Sequence, residues 1–318
     1  AGADAAQHRR PAAAGHAVAA VHAAAVAAGP GARSAVAGTC RAGQLGARRA
    51  GSLLALKIGV LTGTGTYALA GAAAEPERVD TPYGETRLAR GDAGGAELLH
   101  ISRHGSGHAR LSGHVAHRAN VWALKEAGAD CVVGVTVCGA VDRTVPLGSL
   151  IVFDDLHFLA NRLADGSLCT FHDTPGAAGR GHWIFESPFS DGVRSALLDA
   201  CAAAGAPARD GGCYGHVDGP RFNARAEIRS LAQAGVTAVS QTAGPETVLC
   251  GELELPYGLV GYATDYANGA AEEPTPVEEL VRLIEASKPT FAAVLDAALS
   301  NLATGDPPRP PGVIYRFE

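Results

Sequence analysis

The chain has 318 residues, of which 47% are hydrophobic and 18% are charged, a composition typical of a globular protein. Its formal net charge of −6 argues against a nucleic-acid-binding surface, which is normally basic. The seven cysteines are scattered and form no Cys-x-x-Cys pair, which favours reduced thiols in a cytoplasmic protein over a disulfide framework or a zinc ribbon. The apolar stretch at residues 17–29 is too short and too weakly hydrophobic to span a bilayer, so we expect no membrane association.

Composition divides the chain into three parts. Residues 1–52 are dominated by Ala, Gly and Arg and lack the large apolar side chains that could build a core. We expect them to be a low-complexity, disordered extension. Residues 53–304 have the texture of one α/β domain, and residues 305–318 are predicted to be a proline-punctuated C-terminal tail.

Secondary-structure signals alternate along the domain. Short apolar runs typical of buried strands occur at 56–61, 98–102, 131–137, 150–156 and 259–264. Helical periodicity occurs at 119–128, 191–204, 224–234, 245–253 and 277–302. Continuous apolar strands that alternate with helices predict an α/β fold: a mixed, largely parallel twisted sheet flanked by helices on both faces.

Two early strand ends carry groups suited to an anion. The first strand ends in Thr-Gly-Thr-Gly at 62–65, where backbone N–H groups and the Thr64 hydroxyl can face a phosphate, although a plain turn is an equal alternative. The next strand leads into Arg103 and His104, and both side chains can donate to phosphate. A solvated basic turn is the alternative there. Because Arg103 lies on a glycine-rich turn, we expect its replacement by alanine to leave folding nearly intact.

Five histidines cluster between residues 100 and 117: His100, His104, His108, His114 and His117. They raise the alternative of a zinc hydrolase. Glycines at 105 and 107 interrupt any helix that would align a histidine pair, and no carboxylate lies among them. We therefore expect no metal site.

Later segments add polar and aromatic groups at predicted strand and helix ends. Thr136 and Val137 end a buried strand, where ligand binding and simple packing are equal alternatives. Thr242 precedes a helix whose N-terminus favours an anion. Phe222 follows a Gly-Pro pair and can stack on an aromatic base, unless it is a core residue. Asp265 ends an apolar strand and is a candidate general acid, with a turn-capping role as the alternative.

Taken together and in this order, the segments resemble the methylthioadenosine phosphorylase branch of the trimeric purine nucleoside phosphorylases. The likeness extends from about residue 58 to residue 302, and its most specific stretches are 81–84, 103–105, 118–125, 219–222, 226–227, 245–246 and 264–266. It implies a pentosyltransferase that uses inorganic phosphate as a co-substrate to cleave the bond between a purine and its ribose. It also implies a homotrimer and no metal or organic cofactor.

The resemblance assigns roles to individual residues. Phosphate would contact Thr64, Arg103, His104, Thr136, Val137 and Thr242. The catalytic residues would be Asp265, which faces purine N7, together with His104 and Arg103. The nucleoside would be bound by Phe222, Gln241, Asp265, Asn268, His182, Val277, Leu280 and, from a neighbouring subunit, His114.

The sequence departs from the family pattern around the base and the sugar. Gln241 replaces the usual Met, and Ala267 replaces the second acid of the adenine-recognising motif, with Asn268 beside it. Retained Asp265 favours a 6-aminopurine, and the apolar side chains of Val277 and Leu280 favour an apolar 5′ group over a 5′ hydroxyl. We therefore expect 5′-methylthioadenosine or another 5′-modified nucleoside as the substrate. The alternatives are a 6-oxopurine (inosine, guanosine or methylthioinosine) phosphorylase and a non-catalytic nucleoside-binding homologue.

Overall fold

The structure is a computed structural model that describes residues 55–72 and 75–317. The predicted extension at 1–52 therefore lies outside the described residues. Strands occupy β1 (Lys57–Thr62), β2 (Glu77–Thr81), β3 (Gly84–Ala93), β4 (Ala96–Ser102), β5 (Cys131–Ala140), β6 (Leu150–Val152), β7 (Asp155–His157), β8 (Gly181–Ile184), β9 (Ala208–Asp210), β10 (Cys213–His216), β11 (Val236–Ser240), β12 (Tyr257–Tyr266) and β13 (Val313–Arg316). Helices occupy α1 (His117–Glu126), α2 (Asp191–Ala203), α3 (Arg225–Gln233), α4 (Ala243–Glu252) and α5 (Val277–Thr304).

The main sheet runs in the order β2-β3-β4-β1-β5-β11-β10-β7. Strand β12 also pairs with β5 and with β6, and β6 pairs with β9. The pairs β1–β4, β1–β5, β5–β12, β6–β9, β7–β10 and β10–β11 are parallel, whereas β2–β3, β3–β4, β5–β11 and β6–β12 are antiparallel. The predicted mixed, largely parallel sheet is therefore confirmed.

Helices cover both faces of this sheet because the central strands are apolar on both sides. On β5, Cys131 and Val133 face a core that contains residues of α2 and α5, while Val132 faces a core that contains residues of α1 and α4. This alternation follows from the two-residue period of a strand. Each fully buried aliphatic side chain contributes about 1.5–3 kcal/mol, so the two cores fix the strands whose ends form the site.

The predicted elements differ from the observed ones mainly where the chain has little apolar pattern. The run 150–156 is divided into β6 and β7, and the strands β2, β3 and β8 to β11 were not predicted. Sequence analysis placed residues 305–318 in a tail and did not predict β13, which pairs antiparallel with β8. No helix within the described ranges combines the length and apolar character needed to cross a membrane.

Candidate active site

A cavity of about 280 Å³ lies at the carboxyl ends of β1, β4 and β12, beside the second half of β5. This location is where open α/β sheets bind ligands. Its size is close to the lower end of the ~300–1,000 Å³ common for small-molecule pockets. The wall is completed by the loop that precedes α3, by the segment joining β11 to α4, and by α5.

Most of the predicted site residues line this one cavity although they are far apart in the sequence. From the predicted phosphate set, the lining includes Thr64, His104, Thr136, Val137 and Thr242. From the predicted nucleoside set, it includes Phe222, Gln241, Asp265, Asn268 and Leu280. Four predicted residues are not among the lining residues: Arg103, His114, His182 and Val277.

His104, which lines the cavity, is held in one tautomer. Its Nδ1 lies 2.8 Å from the carbonyl oxygen of Arg110, and because a carbonyl only accepts, Nδ1 carries the proton. The ring stacks on His108 with centroids 4.1 Å apart. Burial lowers the pKa of His104 to about 4, so the imidazole is neutral near pH 7 with a lone pair on Nε2. Nε2 is thus the atom available to a ligand.

Hydroxyl groups and a helix N-terminus lie around the same region. The hydroxyl oxygens of Thr136 on β5 and Ser240 at the end of β11 lie 2.9 Å apart and share a hydrogen bond. Thr242 is the N-cap residue of α4, and the positive end of a helix dipole favours an anion there. Together with Thr64, these groups form a lining suited to an oxyanion such as phosphate, whose protonated oxygen can donate to the lone pair on His104 Nε2.

Arg103 lies behind this lining and not in it. Its side chain is fully buried, with Nε and Nη2 donating to Glu246 at 2.5 and 2.7 Å and Nη1 donating to the Val135 carbonyl at 2.6 Å. Burial alone would lower the pKa of Arg103, but the Glu246 carboxylate outweighs it and the pKa is raised. A Cβ added at Gly63 would be 3.1 Å from Nη1, so the guanidinium lies directly beneath the β1 loop. The alternative of a solvated turn at Arg103 is wrong, because the side chain is buried in an ion pair. The expectation that Arg103→Ala leaves folding nearly intact is wrong for the same reason, since the variant would leave the buried Glu246 carboxylate without its partner.

Asp265 lies near the end of β12 and lines the cavity. The pairing of β12 with β5 shifts register between Ala263 and Asp265, which sets Asp265 opposite Gly139. A Cβ at Gly139 would approach an Asp265 oxygen to 3.1 Å, so the glycine makes room for the carboxyl group. Burial raises the pKa of Asp265, while a 2.9 Å hydrogen bond donated by the Thr264 hydroxyl opposes the rise. A carboxyl group in this environment keeps a proton to higher pH and can donate it.

The loop that precedes α3 presents an aromatic ring to the cavity. Phe222 is 59% exposed and lines the cavity, so the alternative of a core residue is wrong. Asn268 Nδ2 donates to the Asn223 carbonyl at 2.8 Å, which ties this loop to the segment after β12. A flat, exposed ring beside polar groups is suited to stacking on a heterocyclic base.

The remaining predicted residues lie elsewhere for identifiable reasons. His182 is on β8, where its ring packs edge-on against Phe317 at 5.2 Å. His114 ends the short 3-10 turn 112–114, of which Ser112 and not His114 lines the cavity. Val277 is the first residue of α5 and is 68% exposed. Leu280 does line the cavity.

Sequence reasoning missed several lining residues. Ile284 lies one helical turn after Leu280, and the i, i+4 spacing would have identified it. Ser112, Cys138 and Ser240 had no comparable signal, because their proximity depends on tertiary structure. Burial raises the pKa of Cys138 far above its usual value, so its thiol remains protonated.

The histidines near β4 take other partners. The Thr62 hydroxyl oxygen lies 2.8 Å from His100 Nε2, and the Tyr67 hydroxyl oxygen lies 3.1 Å from His108 Nδ1. Within residues 55–72 and 75–317, no group of three or more His, Cys, Asp or Glu side chains is arranged to hold a metal ion.

Comparison with known proteins identifies the family. The model of the phosphorylase superfamily matches residues 57–300. The chain belongs to this family. The resemblance expected from the sequence motifs is therefore confirmed, and this phosphorylase carries the family's enzyme fold over nearly all of its described residues.

Curated relatives carry related names. The 6-oxopurine nucleoside phosphorylase of Pyrococcus furiosus is 30% identical over 245 residues, which is 76% of this chain and 91% of that protein. A probable S-methyl-5′-thioinosine phosphorylase of Methanothermobacter thermautotrophicus is 32% identical over 77% of this chain and 84% of its own length. The S-methyl-5′-thioadenosine phosphorylase of Drosophila melanogaster is 34% identical over 59% of this chain and 65% of its own length.

Solved structures agree on the fold. The methylthioadenosine phosphorylase of Schistosoma mansoni, solved with adenine, superposes with a TM-score of 0.71 at 24% identity. The match covers 79% of this chain and 93% of that one. The arrangement of the sheet and its helices is thus that of a nucleoside phosphorylase.

Proposed function

We propose that this phosphorylase cleaves the N-glycosidic bond of a purine nucleoside with inorganic phosphate, giving the free purine and a ribose 1-phosphate derivative. One observation carries the proposal: anion-binding groups, a buried carboxyl group and an exposed aromatic ring line a single cavity. The names of the relatives support the same reaction class.

The anion-binding groups hold the nucleophile, which is inorganic phosphate. Thr64, His104, Thr136 and Thr242 hold the anion next to the sugar, with the N-terminus of α4 adding a favourable potential. As the C1′–N9 bond breaks, positive charge develops on the sugar, as in glycoside hydrolysis, and the bound phosphate stabilises it. A phosphate oxygen then forms the new bond to C1′. Holding both reactants in one cavity contributes up to roughly 7–11 kcal/mol in ideal cases.

The carboxyl group of Asp265 assists the leaving group. The electron pair of the broken bond passes to the purine, which becomes a better leaving group when N7 receives a proton or a strong hydrogen bond. Asp265 is suited to this role because its burial favours the protonated form. A general acid of this kind contributes ~10²–10⁴-fold in rate.

The substrate proposed is 5′-methylthioadenosine or another purine nucleoside with an apolar 5′ substituent. Leu280 and Ile284 of α5 give the cavity an apolar wall, which favours such a group over a 5′ hydroxyl. The carboxyl of Asp265 favours a 6-aminopurine. Relatives named for 6-oxopurine nucleosides cover more of the chain, so a 6-oxopurine phosphorylase is the competing candidate.

A comparison of substrates tests this proposal. Values of kcat/KM for methylthioadenosine, adenosine and inosine, measured with phosphate, should rank methylthioadenosine first. If inosine is well ahead of the other two, the substrate assignment is wrong and the 6-oxopurine candidate replaces it. If no purine is released while nucleosides still bind, the protein is a binding homologue. Activity that survives a chelator supports the absence of a metal cofactor, which is part of the proposal, and loss of activity would contradict it.

We further propose a homotrimer in which His114 reaches the cavity of a neighbouring subunit. Its support is that His114 does not line the cavity of its own chain and that large apolar side chains, such as Leu159 (86%) and Tyr315 (59%), are exposed. Light scattering should give three times the chain mass. A fully active monomer would contradict this assembly.

A further inference from the structure

The side-chain amide of Gln241 joins two segments that are distant in sequence. The Ser112 hydroxyl donates to Gln241 Oε1 at 2.9 Å, and Gln241 Nε2 donates to the carbonyl of Arg221 at 3.2 Å. The orientation of the amide is fixed, because the Arg221 carbonyl can only accept. We call these three residues and their two hydrogen bonds the amide bridge. Ser112 and Gln241 both line the cavity, as does Phe222, the residue after Arg221.

The backbone of the loop fits closely against this bridge. A Cβ at Gly219 would collide with both Gln241 Oε1 and the Ser112 hydroxyl oxygen. The loop can therefore approach the amide bridge only because residue 219 has no side chain. A methionine at position 241 would keep the length of the side chain but could not donate to the Arg221 carbonyl, and its sulfur is only a weak acceptor for the Ser112 hydroxyl.

The other side of the same loop is attached to helix α3. The guanidinium of Arg221 donates to Glu227 at 2.8 and 2.7 Å, and the backbone N–H of Ala224 donates to Glu227 at 2.7 Å. Phe222 lies between these two attachments and is 59% exposed, so few packing contacts hold its ring in place. The position of the ring therefore depends on the hydrogen bonds that hold the loop.

We propose that Gln241 is a positioning residue whose amide bridge holds the loop of Phe222 over the cavity, so that nucleoside affinity depends on it and phosphate affinity does not. The inference rests on the proposed function, in which Phe222 stacks on the purine. Phosphate binding is spared because Thr64, His104 and Thr136 lie on other segments. Thr242 follows Gln241, but it is the N-cap of α4, whose first N–H, that of Ala243, donates to the Tyr214 hydroxyl at 3.1 Å independently of the amide bridge. The bridge is a property of this chain's own side chains.

Steady-state kinetics of Gln241→Met, Ser112→Ala and the double variant provide the first test. Because a hydrogen bond contributes about 0.5–1.5 kcal/mol net, each single variant should raise the KM for the nucleoside roughly 3–10-fold. The KM for phosphate and kcat should change by less than about two-fold. The double variant should be no worse than Gln241→Met alone, since both changes open the same bridge. Equal rises in both KM values, or unchanged nucleoside KM, would overturn the proposal.

Matched controls are available on the exposed face of α3. Gln233→Met and Ser230→Ala make the same chemical changes at exposed positions outside the cavity lining. They should leave both KM values unchanged. A similar nucleoside KM effect in these controls would show that the change is not specific to the bridge.

Hydrogen–deuterium exchange separates this proposal from the proposed function. Amide exchange at residues 219–223 should become faster in Gln241→Met than in the native chain or in Gln233→Met, because the loop loses one attachment. An unchanged rate of amide exchange at residues 219–223 in Gln241→Met would overturn the proposal that the amide bridge holds the loop, even if activity falls. If the native chain releases no purine, the proposed function fails, and the exchange result still decides whether the bridge holds the loop.

Discussion

Arg103 and Glu246, which are 143 positions apart in the chain, form a bidentate ion pair with no exposed side-chain surface, directly beneath the cavity. Tyr257 donates a further hydrogen bond to Glu246 at 3.1 Å. The pair connects the end of β4 to the first turn of α4, so it holds together two of the segments that carry anion-binding groups. It also sets a positive guanidinium and a helix N-terminus on the same side of the cavity.

Removing one charge of this pair should destabilise the fold. Glu246→Gln keeps the shape of the side chain but leaves Arg103 as a buried, uncompensated cation, which costs about 3–5 kcal/mol in comparable cases. Urea unfolding of Glu246→Gln should show this loss of stability as a lower midpoint. Glu285→Gln, which breaks the exposed pair with Lys288, is the matched control and should leave the midpoint nearly unchanged. Equal midpoints for the two variants would show that the buried pair does not stabilise the fold.

Asp265 should control the alkaline side of the pH–rate profile. Its pKa is raised by burial, and the form that donates to the purine is the protonated one, so kcat should decline as pH rises through that pKa. Asp265→Asn should lower kcat/KM by ~10²–10⁴-fold and remove this decline, because an amide does not titrate. Asp199→Asn on the exposed face of α2 should reproduce the native profile. An unchanged alkaline limb in Asp265→Asn would assign the titration to another group.

His104 should act on phosphate and not on the nucleoside. The protonated oxygen of phosphate donates to His104 Nε2, and a hydrogen bond that involves a charged ligand contributes about 1.5–3 kcal/mol, so His104→Ala should raise the KM for phosphate roughly 10–100-fold. The KM for the nucleoside, measured at saturating phosphate, is the internal control and should change little. A variant in which only the nucleoside KM rises would place phosphate elsewhere in the cavity.

Buried histidines should make the fold sensitive to acid. Burial lowers the pKa of His117 and of His216 to about 3, well below the value of about 6.5 in an unfolded chain. The unfolded state therefore binds more protons below pH 6.5, so this stability is complete above that pH and is lost as the pH falls toward 3. Each residue contributes up to about 1.4 kcal/mol per pH unit in this window.

The variant His216→Phe tests that linkage. His216 packs edge-on against Phe158 at 4.5 Å, and its Nδ1 has no hydrogen-bond partner, so an aromatic replacement loses no hydrogen bond at that atom. Thermal midpoints at pH 7 and pH 5 should differ less in the variant than in the native chain. An identical pH-dependent difference would mean that His216 does not contribute.

Site residues could be predicted from the sequence where a polar side chain ends or directly follows a buried strand. Thr64, His104 and Asp265 each come directly after, or at the end of, a continuous apolar run, and parallel strands bring such ends to one edge of a sheet. Three of the four predicted residues that do not line the cavity lie outside that pattern: His114, His182 and Val277. His182 is on a short strand whose partner, β13, has no strong apolar signal, so nothing local indicated where its ring would lie.

The nature of each contact was harder to predict than its location. Arg103 was expected to face phosphate, and its burial depends on Glu246, which no local pattern connects to it. Gln241 was identified as a departure from the family pattern, but its hydrogen bonds to Ser112 and Arg221 depend on three segments meeting in space. Such contacts become visible only in the folded chain.

Product analysis tests the central claim most directly. A purine nucleoside incubated with inorganic phosphate and the native protein would be followed by ³¹P NMR for phosphorus and by chromatography for free base. The account predicts a sugar 1-phosphate signal that grows in equal amount with the free purine and is absent without phosphate. Release of the purine with free ribose and unchanged inorganic phosphate would contradict it.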